Sequence, residues 1–159
     1  MANIAYLSIN GKAQGLISAG CCSLDSIGNK GQPSHIDQIM VYAITHNISR
    51  HMNVNHHEIV VVKPVDKSSP LLGKAISENE ELNCVIEVYR TNRSGMNELF
   101  YKLTLSQARI MDIDFVLPHT MLEPGGEIQE KVAFSYESIG WEHCTAKTSA
   151  FSFWSDRIQ

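Results

Sequence analysis

The stretch LNCVIEVYRTNRSGMNELFYKLTL, Leu82 to Leu105, decides the fold class. Leu82, Cys84, Ile86 and Val88 recur at every second position, and after the loop TNRSGMN so do Leu99, Tyr101, Leu103 and Leu105. Alternation of this kind puts one face of an extended chain into a core and leaves the other outside. Two such runs joined by a short polar loop containing glycine predict an antiparallel hairpin.

The same period runs outward in both directions. Upstream, Ala2 to Ile9 forms a candidate strand that stops at Asn10-Gly11, a pair that tolerates the positive φ of a tight turn. A loop rich in Gly, Ser and Asn then runs to about Pro33. From Asp37 to Arg50, Met40, Tyr42, Ile44 and Ile48 share one face, while the other ends in the polar set Thr45, Asn47 and Ser49. Ile59 to Val62 is apolar on both sides, as in a strand covered on both faces, and Pro64 closes it. Downstream come Ala108 to Val116, Ile128 to Ser138 with Val132, Phe134 and Tyr136 in phase, Trp141 to Thr145, and Ser149 to Trp154.

One segment breaks the period. Over about residues 69–80, Ser69 is a candidate cap, Pro70 suits a first helical turn, and Leu71, Leu72, Ala75 and Ile76 form an apolar stripe. About eight short strands with one short flanking α-helix predict a mainly β fold, and a small antiparallel β-barrel is the economical way to protect so many edges. A chain of 159 residues fits a single domain, since about 150 residues bury roughly two thirds of their unfolded surface.

Composition excludes several functions. A net charge of −4 lacks the excess of Lys and Arg that phosphate neutralisation requires, which argues against nucleic acid and against a polybasic membrane patch. No run reaches the ~18 consecutive apolar residues of a membrane span. The N-terminus MANIAYLSINGKAQG has no basic start, and Asn10, Lys12 and Gln14 interrupt any signal-peptide core, so synthesis as a soluble cytosolic chain is expected. Cys21, Cys22, Cys84 and Cys144 form no C-x-x-C pair; reduced thiols are expected, with Cys84 and Cys144 as small core residues.

Catalytic patterns are weak. Four of seven histidines, His46, His51, His56 and His57, crowd around residues 50–58, but neither His-Glu-x-x-His nor Cys-x-x-Cys accompanies them. A histidine-rich connecting loop is the simplest reading; a metal site and pH sensing are the alternatives. Adjacent His56 and His57 would point to opposite sides of an extended chain. Ser138, His143 and Cys144 have no spacing that forces a base onto a nucleophile, and NGKAQG and LLGKAIS are incomplete as phosphate loops. Glu80-Glu81 reads as a solvated helix end, Asp112 and Asp114 as one face of a strand, and Trp141 and Trp154 as packing residues. No catalytic residue and no cofactor is expected.

The stretches ANIAYLSINGKAQGLISAGCCSLDSIGNK, VDKSSPLLGKAI and EKVAFSYESIGWEHCTAKTSAFSFWSD together resemble the hemolysin-coregulated proteins, Hcp, of type VI secretion systems, and in particular their enterobacterial branch. The resemblance covers essentially the whole chain. It implies a β-barrel subunit of hexameric rings that stack into the inner tube and are exported through the apparatus. The partners it implies are further copies of the chain, the spike protein at the tube tip, the contractile sheath, the baseplate, and small effector proteins carried in the lumen. Under it, Asp37 to Arg50 matches the strand whose polar end faces the lumen, making Thr45, Asn47 and Ser49 candidates for cargo contact. Residues 50–58 match an extended loop that reaches a neighbour, making Arg50, His51, His56 and His57 candidates for assembly. No toxin domain is expected after Ser155. A monomeric ligand-binding barrel and a histidine-dependent metalloprotein remain as alternatives.

Overall fold

In the computed structural model, which describes residues 3–155, twelve strands form a ten-stranded sheet and a separate two-stranded one. The chain opens with β1 (Ile4–Gly11), folded back on the two-residue β2 (Gly15–Leu16). The segment expected to be a loop contains the four-residue helix α1 (Leu24–Ile27) and 3-10 turns at Gly28–Lys30 and Pro33–His35. The run expected as one strand from Asp37 to Arg50 is divided into β3 (Ile39–Val41), β4 (Ala43–Thr45) and β5 (Ile48–Arg50). It is followed by β6 (Val54–His56) and β7 (Ile59–Pro64).

The predicted helix is α2 (Ser69–Ser77), three residues shorter than expected. Ser68, rather than Ser69, is its N-cap, and neither makes a side-chain cap bond. The turn is instead fixed by Asp66, whose Oδ1 accepts from Ser68 N at 2.9 Å and from Ser68 Oγ at 2.5 Å. Leu72 and Ala75 are buried, with Leu71 and Ile76 packed beside them, so the apolar stripe is the face that meets the core.

The opening hairpin is β8 (Leu82–Thr91) and β9 (Asn97–Val116). β9 absorbs the predicted Ala108–Val116 strand into one ladder partner of 20 residues. Beside it lie β10 (Gln129–Ser135), β11 (Ser138–His143) and β12 (Thr148–Phe153). Gln129↔Val116 through Ser135↔Arg109 continues as Ser138↔Ser106 through His143↔Tyr101. β10 and β11 are therefore two halves of one strand running antiparallel to β9, jointed at Tyr136 and Glu137. At the matching place in β9, Gln107 has φ 50 and bends the chain.

The barrel's seam is the segment of residues 39–45. β3 pairs with β1 through Ala5↔Val41 and Leu7↔Ile39, while β4 pairs with β7 through Ala43↔Val62 and Thr45↔Val60. Tyr42 N donates to Val62 O at 2.7 Å between them. The path β1, β8, β9, β10, β7 thus returns to β1 through one short stretch, and the division of the expected strand is what lets it serve both neighbours. Leu7, Ile9, Ile59, Val61, Ile86, Leu105, Val132 and Phe134 fill the interior. Cys21, Cys22 and Cys84 are buried as free thiols, and burial pushes Cys84 up to about 12 and Cys21 up to about 11. Cys144, expected in the core, is only half-buried, because it lies just past the end of β11.

Glu80 corrects another expectation. It is buried, not solvated, because Asn79 takes φ 52 after the helix and turns the chain back. Its Oε2 accepts from Ala13 N at 3.2 Å and Gln14 N at 3.0 Å, and its Oε1 from Gln14 Nε2 at 2.9 Å. Burial alone would raise its pKa, but the bonds from Gln14 and Ala13 and the charge of Lys74 outweigh it, and the net shift is downward. A carboxylate with a depressed folded pKa stabilises fully above its unfolded value of about 4.3 and loses that contribution as pH falls through the folded value. Glu80→Gln should therefore cost about 1–3 kcal/mol at pH 7 and flatten the acid limb of a stability-versus-pH curve, measured by urea unfolding from pH 7 to 3. An unchanged acid limb would contradict it. Gly11 must stay small for the same reason: a Cβ there would lie 2.0 Å from Glu80 Oε2.

Candidate functional site

The histidine-rich segment forms an arm. Among the described residues, β5 and β6 pair only with each other, through Ile48↔His56, Ser49↔Asn55 and Arg50↔Val54, and join no strand of the main sheet. Residues 51–53 turn between them and are exposed, with Met52 at 77%. Arg50 Nη2 donates to Met52 O at 3.2 Å across the turn. Thr45, Asn47 and Ser49 are all exposed, alternating with half-buried Ile44, His46 and Ile48, so their common face survives the break between β4 and β5.

The candidates of the loop divide. Arg50, His51 and His57 are exposed, and His57 Nε2 lies 3.2 Å from Ser49 Oγ. His56, expected beside them as an outward assembly contact, is instead 4% exposed and turned into its own subunit. The alternation of adjacent histidines is the physical reason: with His57 outside, β6 directs His56 inward.

What His56 meets leaves no motif in the sequence. Tyr136, at the joint between β10 and β11, places its hydroxyl 2.7 Å from His56 Nδ1 and 2.8 Å from His46 Nε2. His56 Nε2 lies 2.9 Å from Ser152 Oγ on β12. Trp154 stacks on His56 at 5.9 Å between ring centroids and meets Tyr136 edge-on at 4.9 Å. His46 precedes β5 and His56 ends β6, so the two meet at the base of the arm and one phenol holds both. The only hint in the sequence is that Tyr136 falls in phase with Val132 and Phe134, which marks it as inward-facing without naming a partner.

The electrostatics suit holding rather than chemistry. Burial pushes Tyr136 up to about 12, so the phenol keeps its proton throughout the physiological range. His46 is held below its ordinary value by burial first, then by the neighbouring His56 and His57. Among the described residues, no group of three His, Cys, Asp or Glu side chains is placed to hold a metal ion.

A second polar cluster fixes α2 to the barrel at the far end of β7. Lys63 on β7 is fully buried, pairs with Glu130 on β10, and lies 3.1 Å from Asp66 Oδ1. Ser69 Oγ donates to Glu130 Oε1 at 2.5 Å.

The fold as a whole is shared with known proteins. The family described as type VI secretion system effector, Hcp, matches residues 6–143. The chain belongs to the Hcp family. It is 37% identical to the major exported protein of Pseudomonas aeruginosa, over 99% of both chains. It is 36% identical to the uncharacterized protein YhhZ of Escherichia coli, covering 96% of this chain and 38% of that one. Among solved structures it is similar to the secreted protein Hcp3 of Pseudomonas aeruginosa, with a TM-score of 0.89, 36% identity, and 98% and 100% of the two chains covered. An Hcp crystal structure superposes with a TM-score of 0.92 at 30% identity, over 98% and 99% of the chains. The Hcp fold is thus a structural one, that of the tube protein of type VI secretion, and this chain has it from end to end of its described residues.

Proposed function

We propose that the chain assembles into hexameric rings that stack as the inner tube of a type VI secretion system, leaves the cell with that tube, and carries small effector proteins in its lumen. The observation that carries the reading is the full-length likeness to a secreted Hcp protein at 36% identity. Synthesis in the cytosol, and docking to a spike, a sheath and a baseplate, are parts of the same reading. No helix among the described residues is long and apolar enough to cross a membrane.

The surface supports self-association. Among the described residues, β4 and β12 each pair with one strand only, which leaves two different strand edges for a heterologous contact, the kind that closes rings. β12 exposes Phe151 and Phe153, packed edge-to-face at 5.7 Å. The far half of β9 and the turn after it expose Met111, Phe115, Leu117, Met121 and Leu122. Apolar surface on this scale usually marks an interface. The protein acts without catalysis: burial holds the Cys21 and Cys84 thiols protonated, and two of its clustered histidines are spent on Tyr136.

Within the ring, Thr45, Asn47 and Ser49 line the lumen and contact cargo, while Arg50, His51 and His57 meet a neighbouring copy. Thr45→Arg tests the lumen assignment, since Thr45 is exposed on an edge strand and a longer side chain there costs the barrel little. The expected result is intact rings that no longer co-purify with the effectors retained by wild-type rings. Equal retention by both would overturn the assignment.

A further inference from the structure

The arm's attachment suggests how its direction is set, on the reading above that it meets neighbouring copies. Among the described residues, β5 and β6 have no ladder to the barrel. Besides the backbone bond from His57 N to Asn47 O at 3.1 Å, which closes the arm on itself, its base is held through His46 and His56. Both imidazoles bind one oxygen, Tyr136 Oη, whose residue is buried at the joint of the long β10–β11 strand.

We infer that Tyr136 is the positioning residue of the assembly arm, its hydroxyl fixing the arm's direction by bridging His46 and His56, and that the bridge is released when both imidazoles are protonated.

The proton count makes the device acid-sensitive. A phenol has one proton to give and lone pairs to receive. With both imidazoles neutral, Tyr136 donates to one and accepts from the other. One added proton is still matched: a His56 cation donates to Tyr136 through Nδ1 and to Ser152 Oγ through Nε2, while Tyr136 donates to His46. A second proton leaves no acceptor for the phenol and places two cations on either side of one oxygen. Among the described residues, the groups facing the pair include His57 from the arm, Tyr136 from the β10–β11 joint, and Ser152 and Trp154 from the β12 side. The adjacent carboxylates Glu58 and Glu137 are exposed. His46 is held below its ordinary value of about 6.5, so the folded arm binds fewer protons than the free one. The bridge is therefore at full strength above that value and weakens as pH falls below it.

Hydrogen exchange read as protection factors for residues 48–56, with sedimentation of the same samples, tests this in the full chain. In the wild type, arm protection should fall by about tenfold or more between pH 7.5 and 5.5, the scale of one lost hydrogen bond, with β8 and β9 unaffected. Tyr136→Phe, which keeps the ring and removes the oxygen, should show the low protection at both pH values. His46→Gln keeps a hydrogen-bonding group that does not titrate, and should retain protection with a flatter pH profile. Arm protection equal to wild type in Tyr136→Phe would overturn the inference. Were that variant to misfold, a wild-type pH slope in His46→Gln would overturn it and a flat slope would support it. An arm that loosens as expected while rings persist would leave the bridge standing and overturn the arm's assembly role.

Discussion

Lys63→Met should lower the folding stability by about 3–5 kcal/mol, the cost of removing one partner from a buried ion pair. Lys63 has no exposed surface, and its ammonium serves Glu130, Asp66 at 3.1 Å, Ser69 Oγ at 3.3 Å and Pro64 O at 3.0 Å. Without it, two carboxylates remain in the interior, and Asp66 Oδ2 already has no hydrogen-bond partner among the described residues. At about 2–4 °C per kcal/mol for a domain of this size, Tm should drop by roughly 6–20 °C. The network also ties β7, β10 and the start of α2 together, so the helix should loosen first. Neutralising the set, by adding Asp66→Asn and Glu130→Gln, should recover much of the loss, because the penalty lies in stranded charge rather than in the missing attraction. A Tm within about 2 °C of wild type for the single substitution, by calorimetry, would contradict this account of the cluster.

Replacing residues 49–55 by a two-glycine turn should abolish assembly with little effect on the barrel. Among the described residues, the arm shares no ladder with the main sheet and the core cluster contains none of residues 49–55, so the core keeps its packing. It would lose Arg50, His51 and Met52, the exposed end through which the arm reaches out. If these include even two interface hot spots of about 2 kcal/mol each, association weakens by several hundredfold or more. Light scattering of the variant should show dispersed subunits with a Tm within a few degrees of wild type. Rings formed at wild-type concentrations would show that the arm is not an assembly element.

The readability of this chain follows a physical line. Strands with one wet face announce themselves, and β8 with the first half of β9 lies where the Leu82–Leu105 alternation puts it. α2 is legible for the same reason: Leu72 and Ala75 face the core. Long-range partners are not legible, because nothing local in a sequence records them. Lys63 follows an apolar run and looks like a strand end, yet Glu130, 67 positions later, makes it an interior residue. Glu80 looks like a solvated helix end until Gln14 and Ala13 arrive from the first hairpin. The His56–Tyr136 contact spans 80 positions and the His46–Tyr136 contact 90. The alternation of His56 and His57 does say that one of them is inside, but not which. The seam at residues 39–45 was hidden differently: its alternation is continuous, while its hydrogen bonding changes partner at Tyr42.

The central claim is that this barrel is a ring subunit, and native mass measures it most directly. Light scattering of the purified chain, with negative-stain images of the same peak, should give six times the 17.7 kDa subunit mass and annular particles. A 17.7 kDa species at every concentration and salt tested, with no rings in the images, would contradict it.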